Sequence, residues 1–127
     1  MSDSFPGQND NQNETSGSIR IENGRLKEYL GKVVPKVRKG LKTRKIFSII
    51  IKYDRTDRHL TIADAIYNSA SVSFEHECNW QDAVEVDGIW LKELLDSYKD
   101  HDILEILSCP DRIEIVKGRS RFKMPRL

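Results

Sequence analysis

Cysteine is scarce in this chain. Cys78 and Cys109 are the only two in 127 residues, too few for a disulfide framework, and they read as free thiols of a cytoplasmic protein. Long apolar runs are missing too. No stretch of about 18 apolar residues occurs, so no membrane-spanning helix is expected, and residues 1–17 lack the apolar segment a secretory signal needs. Motifs for metals, phosphates and nucleophiles are absent in the same way. His59, His76 and His101 are scattered, and His76, Cys78, His101 and Cys109 do not have the paired spacing of a zinc site. The glycines sit in no strand-turn-helix phosphate loop. Ser120 lies between two arginines with no His or Asp motif to activate it. Asp54, Asp57 and Asp64 read as turn acids rather than the convergent carboxylates of a two-metal nuclease. Neither catalysis nor a cofactor is expected.

What is present is charge, unevenly spread. The formal net charge is only +1, yet between Arg25 and Lys45 nine Lys and Arg face a single acid, Glu28, a local balance of +8. Segregation of this kind marks a surface for a polyanion or for an acidic protein. Residues 1–17, with Asn, Asp, Gln, Ser and Gly and with Phe5 as the large apolar side chain, cannot bury enough surface to order themselves. They read as a disordered polar tail, and residues 18–127 as one domain of ordinary size.

Within that domain the apolar pattern changes period repeatedly. Residues 18–22 alternate as a strand with Ile19 and Ile21 on one face. Asn23 can cap a following helix, whose stripe is Leu26, Leu30, Val33, Val34 and Val37, with Pro35 ending or kinking it near Val34. Residues 46–53 are dense in β-branched and aromatic side chains, as in a central strand. A polar turn, a strand through Leu60, Ile62 and Asp64, and another over residues 69–77 with Val72 and Phe74 inward come next. Trp80, in a loop, is expected to cover a core edge. A short strand over 83–87 leads to Asp87, an N-cap for a second helix striped by Leu91, Leu94, Leu95 and Tyr98. Residues 102–108 form a strand with Leu104 and Ile106 inward, and Ile103 and Leu107 are expected to be covered from the other side. After a Cys109-Pro110-Asp111 turn, Ile113 and Ile115 alternate with Arg112 and Glu114. Gly118 breaks the run as a tight turn does, and Phe122 and Met124 alternate with Arg119, Arg121 and Lys123. The order is strand, helix, three strands, short strand, helix, three strands. That order gives an α+β fold with two helices packed on one face of a curved, mainly antiparallel sheet.

The last hairpin also carries a resemblance. Lys117-Gly118-Arg119-Ser120-Arg121-Phe122-Lys123-Met124-Pro125 is similar to the end of the first domain of the bacterial DNA polymerase sliding clamp, the beta subunit. Residues 86–95 and 60–64 resemble that family's second helix and one of its strands, in the right order. The resemblance covers residues 18–127, a single DNA-clamp-like domain. It implies a non-enzymatic scaffold or processivity-type factor without a cofactor, of a family whose rings of about six similar domains carry sequence-independent, salt-sensitive contacts to double-stranded DNA. By the same resemblance the first helix and the loop after it face DNA, with Lys32, Lys36, Lys39, Lys42 and Arg44 as the contacts. The second helix sets Lys92 and Lys99 against Glu93, Asp96 and Asp100, and makes a poorer phosphate wall. A protein partner and a homo-oligomer are expected, with exposed end strands open to pairing. The alternative is a protein-binding module of the same fold without a DNA function, such as an immunity or inhibitor protein.

Overall fold

A computed structural model of the chain describes Thr15 and residues 17–35, 46–66 and 70–127. The elements run β1 (Gly17–Glu22), α1 (Asn23–Gly31), β2 (Ser48–Asp54), β3 (His59–Asp64), β4 (Ser71–Glu75), β5 (Val84–Asp87), α2 (Gly88–Leu95), β6 (Ile103–Ser108), β7 (Arg112–Lys117) and β8 (Ser120–Pro125). This is the order expected from the sequence. The expected disordered tail falls almost wholly outside the described residues, as does Val37 of the first apolar stripe.

The strands form two four-stranded antiparallel sheets, β1-β6-β7-β8 and β4-β3-β2-β5. Each half of the chain contributes a strand, a helix and a three-stranded meander, and each first strand crosses to the other half. β1 pairs with β6, aligning Ile19 with Ile106 and Ile21 with Leu104. β5 pairs with β2, aligning Val86 with Ile49 and Val84 with Ile51. The two helices are short, nine and eight residues, below the ~12–15 at which an isolated helix is even marginal. Packing holds them. Leu26, Leu30, Leu91 and Leu95 meet the inward rows of both sheets, among them Ile49, Ile62, Leu104, Ile106, Ile113, Ile115 and Met124, in one buried cluster. Full burial of each such side chain contributes about 1.5–3 kcal/mol.

The helix ends are satisfied in a matched way across the two halves. At the start of α1 the Asn23 amide donates to the Asp102 carbonyl (2.8 Å), and at the start of α2 the Gly88 amide donates to the Phe47 carbonyl (2.8 Å). In both cases the acceptor immediately precedes the strand that follows the other helix, so each half closes the first turn of its counterpart.

Three expectations change. Trp80 is wholly enclosed, not at a core edge; its indole N–H donates to the Ile51 carbonyl at 3.1 Å. Ile103 is 47% exposed, so the outer face of β6 is not covered at that end. Asn23 is not the N-cap of α1: Glu22 holds that position, and the Asn23 amide nitrogen caps the far end of α2 by donating to the carbonyls of Leu95, Tyr98 and Lys99.

Candidate nucleic-acid interface

α1 is amphipathic in the sense its spacing requires. Leu26 and Leu30 are buried, while Arg25, Glu28 and Lys32 are exposed on the other side. The chain leaves the helix through a turn in which the Val33 and Val34 amides both donate to the Leu30 carbonyl. Val33 and Val34 stay buried, and Pro35 follows. Of the five residues expected at DNA, Lys32 is described; its ammonium lies 5.9 Å from the centroid of the Tyr29 ring. Lys36, Lys39, Lys42 and Arg44 lie outside the described residues.

Not every cation of α1 is free for a ligand. Lys27 is taken up by the end of α2, 2.8 Å from Asp100 and 3.6 Å from Asp96. The Asp100 hydrogen bond, with the charges of both acids, raises the Lys27 ammonium above its ordinary range despite some desolvation. Arg25 has no acid partner among the described residues. α1 therefore offers Arg25 and Lys32 as its open cations among the described residues, ahead of the lysine-rich stretch in the chain. The sequence signals both the stretch and Arg25; the internal use of Lys27 needs the packing of α1 on α2.

The basic hairpin is organised around one carboxylate. Glu114 lies on the outer face of its sheet yet is 2% exposed. Arg112 at 2.6 Å and Arg121 at 2.6 Å cover it from two sides, and the Cys109 thiol donates to it at 3.6 Å. Burial alone would raise the Glu114 carboxyl, but the hydrogen bonds and charges of Arg121 and Arg112 outweigh it and leave the group below the usual carboxylate range. Burial, and then the Glu114 charge, push the Cys109 thiol up, the reverse of what a nucleophilic cysteine needs.

The sheets end differently on their two sides. β1 and β5 are partly covered: the Asn79 amide reaches the Ser18 carbonyl, and the Leu127 amide reaches the Glu85 carbonyl. β4 and β8 are end strands. The Asp64 amide bonds the Ala70 carbonyl and the His76 amide the Arg58 carbonyl, so the backbone groups of Ser71, Ser73 and Glu75 alternate away from β3. In β8 the two-residue turn at Gly118 (φ 56°) closes on the Lys117–Ser120 pair, which turns the backbone of Arg121 and Lys123 outward.

Asp54 and Asp64 sit at opposite ends of the β2–β3 pair, across from His59 and Ile49. Asp54 accepts from the Thr56 amide as a turn acid does. Among the described residues no three His, Cys, Asp or Glu side chains converge to hold a metal ion, and no helix is long and apolar enough to cross a membrane.

Two antiparallel sheets, two helices and a crossed first strand in each half define a clamp-type domain. No protein-family model matches the chain, and no curated protein matches it in sequence. Solved structures do match. The DnaN sliding clamp (DNA polymerase III subunit beta) of Bartonella birtlesii bound to griselimycin aligns with a TM-score of 0.71 at 15% identity, over 87% of this chain and 30% of that chain. The Caulobacter crescentus beta sliding clamp aligns at 0.69 and 19% identity, over 87% and 30%. The Pseudomonas aeruginosa DnaN clamp bound to griselimycin aligns at 0.67 and 17% identity, over 88% and 30%. This chain thus has the fold of one sliding-clamp domain, and spans about 30% of the length of the clamps it matches.

Proposed function

We propose that the chain is a non-enzymatic, cytoplasmic scaffold that holds double-stranded DNA without reading its sequence, through the polar face of α1 and the segment after it. The observation that carries this reading is a clamp-type fold in which Arg25 and Lys32 stay in solvent on the helix that precedes the lysine-rich stretch in the chain. Lys32, Lys36, Lys39, Lys42 and Arg44 are the proposed phosphate contacts. Such contacts release counterions, so five of them give a log–log salt slope of about −4.5 on duplex DNA. Titration of two unrelated duplexes at several salt concentrations tests this. Equal affinities with that slope are expected, as is loss of binding when Lys36, Lys39 and Lys42 are all changed to Glu. Undiminished binding by that variant would remove the patch, and no binding at low salt would remove the DNA reading.

Encircling DNA takes more than one copy of such a domain. The two end strands are chemically complementary: β4 carries Glu75, and β8 carries Lys123 beside an Arg121 already bound to Glu114. In a head-to-tail homo-oligomer, β4 of one copy would add to β8 of the next. Mass in solution checks it. A closed assembly should stay on circular DNA and leave linear DNA by its ends; a monomer at every concentration would refute the ring.

A further inference from the structure

Two depressions open side by side where the first sheet meets the start of α1. One, of about 360 Å3, is lined by Arg20, Ile21, Glu22, Arg25, His76 and Ile103. The other, of about 190 Å3, adds Glu105 and Val116. Arg20 and Ile103 line both, so the two are ends of one groove.

The groove exists because the cover over β1 stops short. Asn79 occupies both backbone groups of Ser18, and the His76 ring donates to the Arg20 carbonyl at 2.9 Å. By the alternation of an antiparallel ladder, the Arg20 and Glu22 amides are directed to the same open side. Neither has a partner among the described residues. Beneath lies Ile103, 47% exposed, paired across the ladder with the exposed Glu22 and followed by the fully buried Leu104. Arg20 and Arg25 have no acid partner among the described residues, while Glu22 brings one opposing charge to the wider end. At the wider end two guanidinium groups thus face one carboxylate, a surplus of one positive charge, while Glu105, across the ladder from Arg20, lines the narrower end. Arg20 and Ile103 are diagonal neighbours on paired strands, about 7 Å apart. A single residue whose Cα bears both a carboxylate and a large apolar side chain spans that separation.

We propose that this groove captures the free C-terminus of a partner polypeptide ending in a large apolar residue. The terminal carboxylate meets the Arg20 and Arg25 guanidinium groups and the Arg20 amide, and the terminal side chain lies on Ile103. Arg25 is also an open cation of the α1 face, but Arg20 and Ile103 are not among the five residues proposed for DNA, so loss of peptide binding at those two positions is distinguishable from failure of the DNA reading.

The test uses a fluorescent, otherwise neutral octapeptide ending in Leu, as the free acid and as the C-terminal amide, titrated with the full chain by polarisation. The acid is expected to bind, and the amide about 10-fold more weakly or less, since charge-assisted hydrogen bonds are lost. Arg20→Gln and Ile103→Ser should each weaken the acid peptide, with melting temperatures near the parent value, and Glu22→Gln should tighten it. Equal binding of acid and amide would overturn the proposal. So would no binding at millimolar peptide, or an Arg20→Gln protein that binds unchanged.

Discussion

At the residue scale the most informative side chain is Glu114. Its position in the alternation of β7 is outward, as the sequence implies, but outward here does not mean solvated, because Arg112 and Arg121 close over it. Periodicity reports which face a residue takes; it cannot report what a neighbouring strand lays across that face. The carboxyl is held below the ordinary value of about 4.3, so its contribution to stability is full above that value and is lost as pH falls through the folded pKa. Asp102 adds in the same direction, lowered first by its hydrogen bond from Lys117 and then by the Lys99 amide. Glu114→Gln should therefore flatten the fall in urea midpoint on the acid side of the ordinary carboxylate value and cost about 2 kcal/mol at neutral pH. An unchanged acid limb would refute the assignment. Asn23 makes a second case. Its sequence signal, a capping residue before an apolar stripe, is real, but the helix it caps is the other one, 72 residues away at Leu95. Asn23→Ala should cost about 1–3 kcal/mol. Asn23→Asp should cost more, since a carboxylate cannot donate and sets a negative charge against the negative end of α2. If Asp proved the milder change in chemical denaturation, the three carbonyl contacts would not be what holds that position.

At the element scale, existence and order were readable because each strand and helix keeps its own apolar period, and the punctuation agreed. Asp87 is the N-cap foreseen, accepting from the Ile89 amide at 3.1 Å, and it also receives the Phe47 amide at 3.4 Å. Asp87→Ala should lower stability by about 1 kcal/mol, read as a shift of denaturant midpoint without a change of slope. Gly118 takes a φ of 56° with nothing within 4 Å of an added Cβ. Gly118→Val there is penalised by backbone conformation alone, by about 1–2 kcal/mol, whereas Gly118→Asn should recover much of the loss. A valine as stable as an asparagine would mean the turn had changed type. Gly17 is constrained differently: a Cβ would lie 2.6 Å from the Asn79 carbonyl oxygen. What the elements could not reveal was the division into two sheets. A period of two fixes the inward face of β1, but whether its neighbour is β2 or β6 depends on contacts about 85 residues apart, which no local pattern encodes.

At the scale of the whole molecule that exchange of first strands decides how the chain unfolds. Neither half owns a complete sheet: the first lends β1 to β6, and the second lends β5 to β2. Each half also closes the first turn of the other's helix. The helices share one buried cluster with both sheets, so losing either half removes the partner strand, the helix contacts and the end bonds of the other at once. The charge pattern obeys the same logic. The cation-rich stretch was legible as composition, but Lys27 is drawn into an α1–α2 pair with Asp96 and Asp100, and only the joined halves show which cations of α1 remain open. Unfolding should accordingly be a single cooperative step. Native-state hydrogen exchange measures this directly, by comparing amides hydrogen-bonded within their ladders at Ile51 and Leu60 in one sheet with those at Ile106 and Ile115 in the other. All should open with the same free energy, equal to that from chemical denaturation. A persistent gap of more than about 1 kcal/mol between the sheets would mean that one half survives the loss of the other, and that the crossed strands join two units instead of making one.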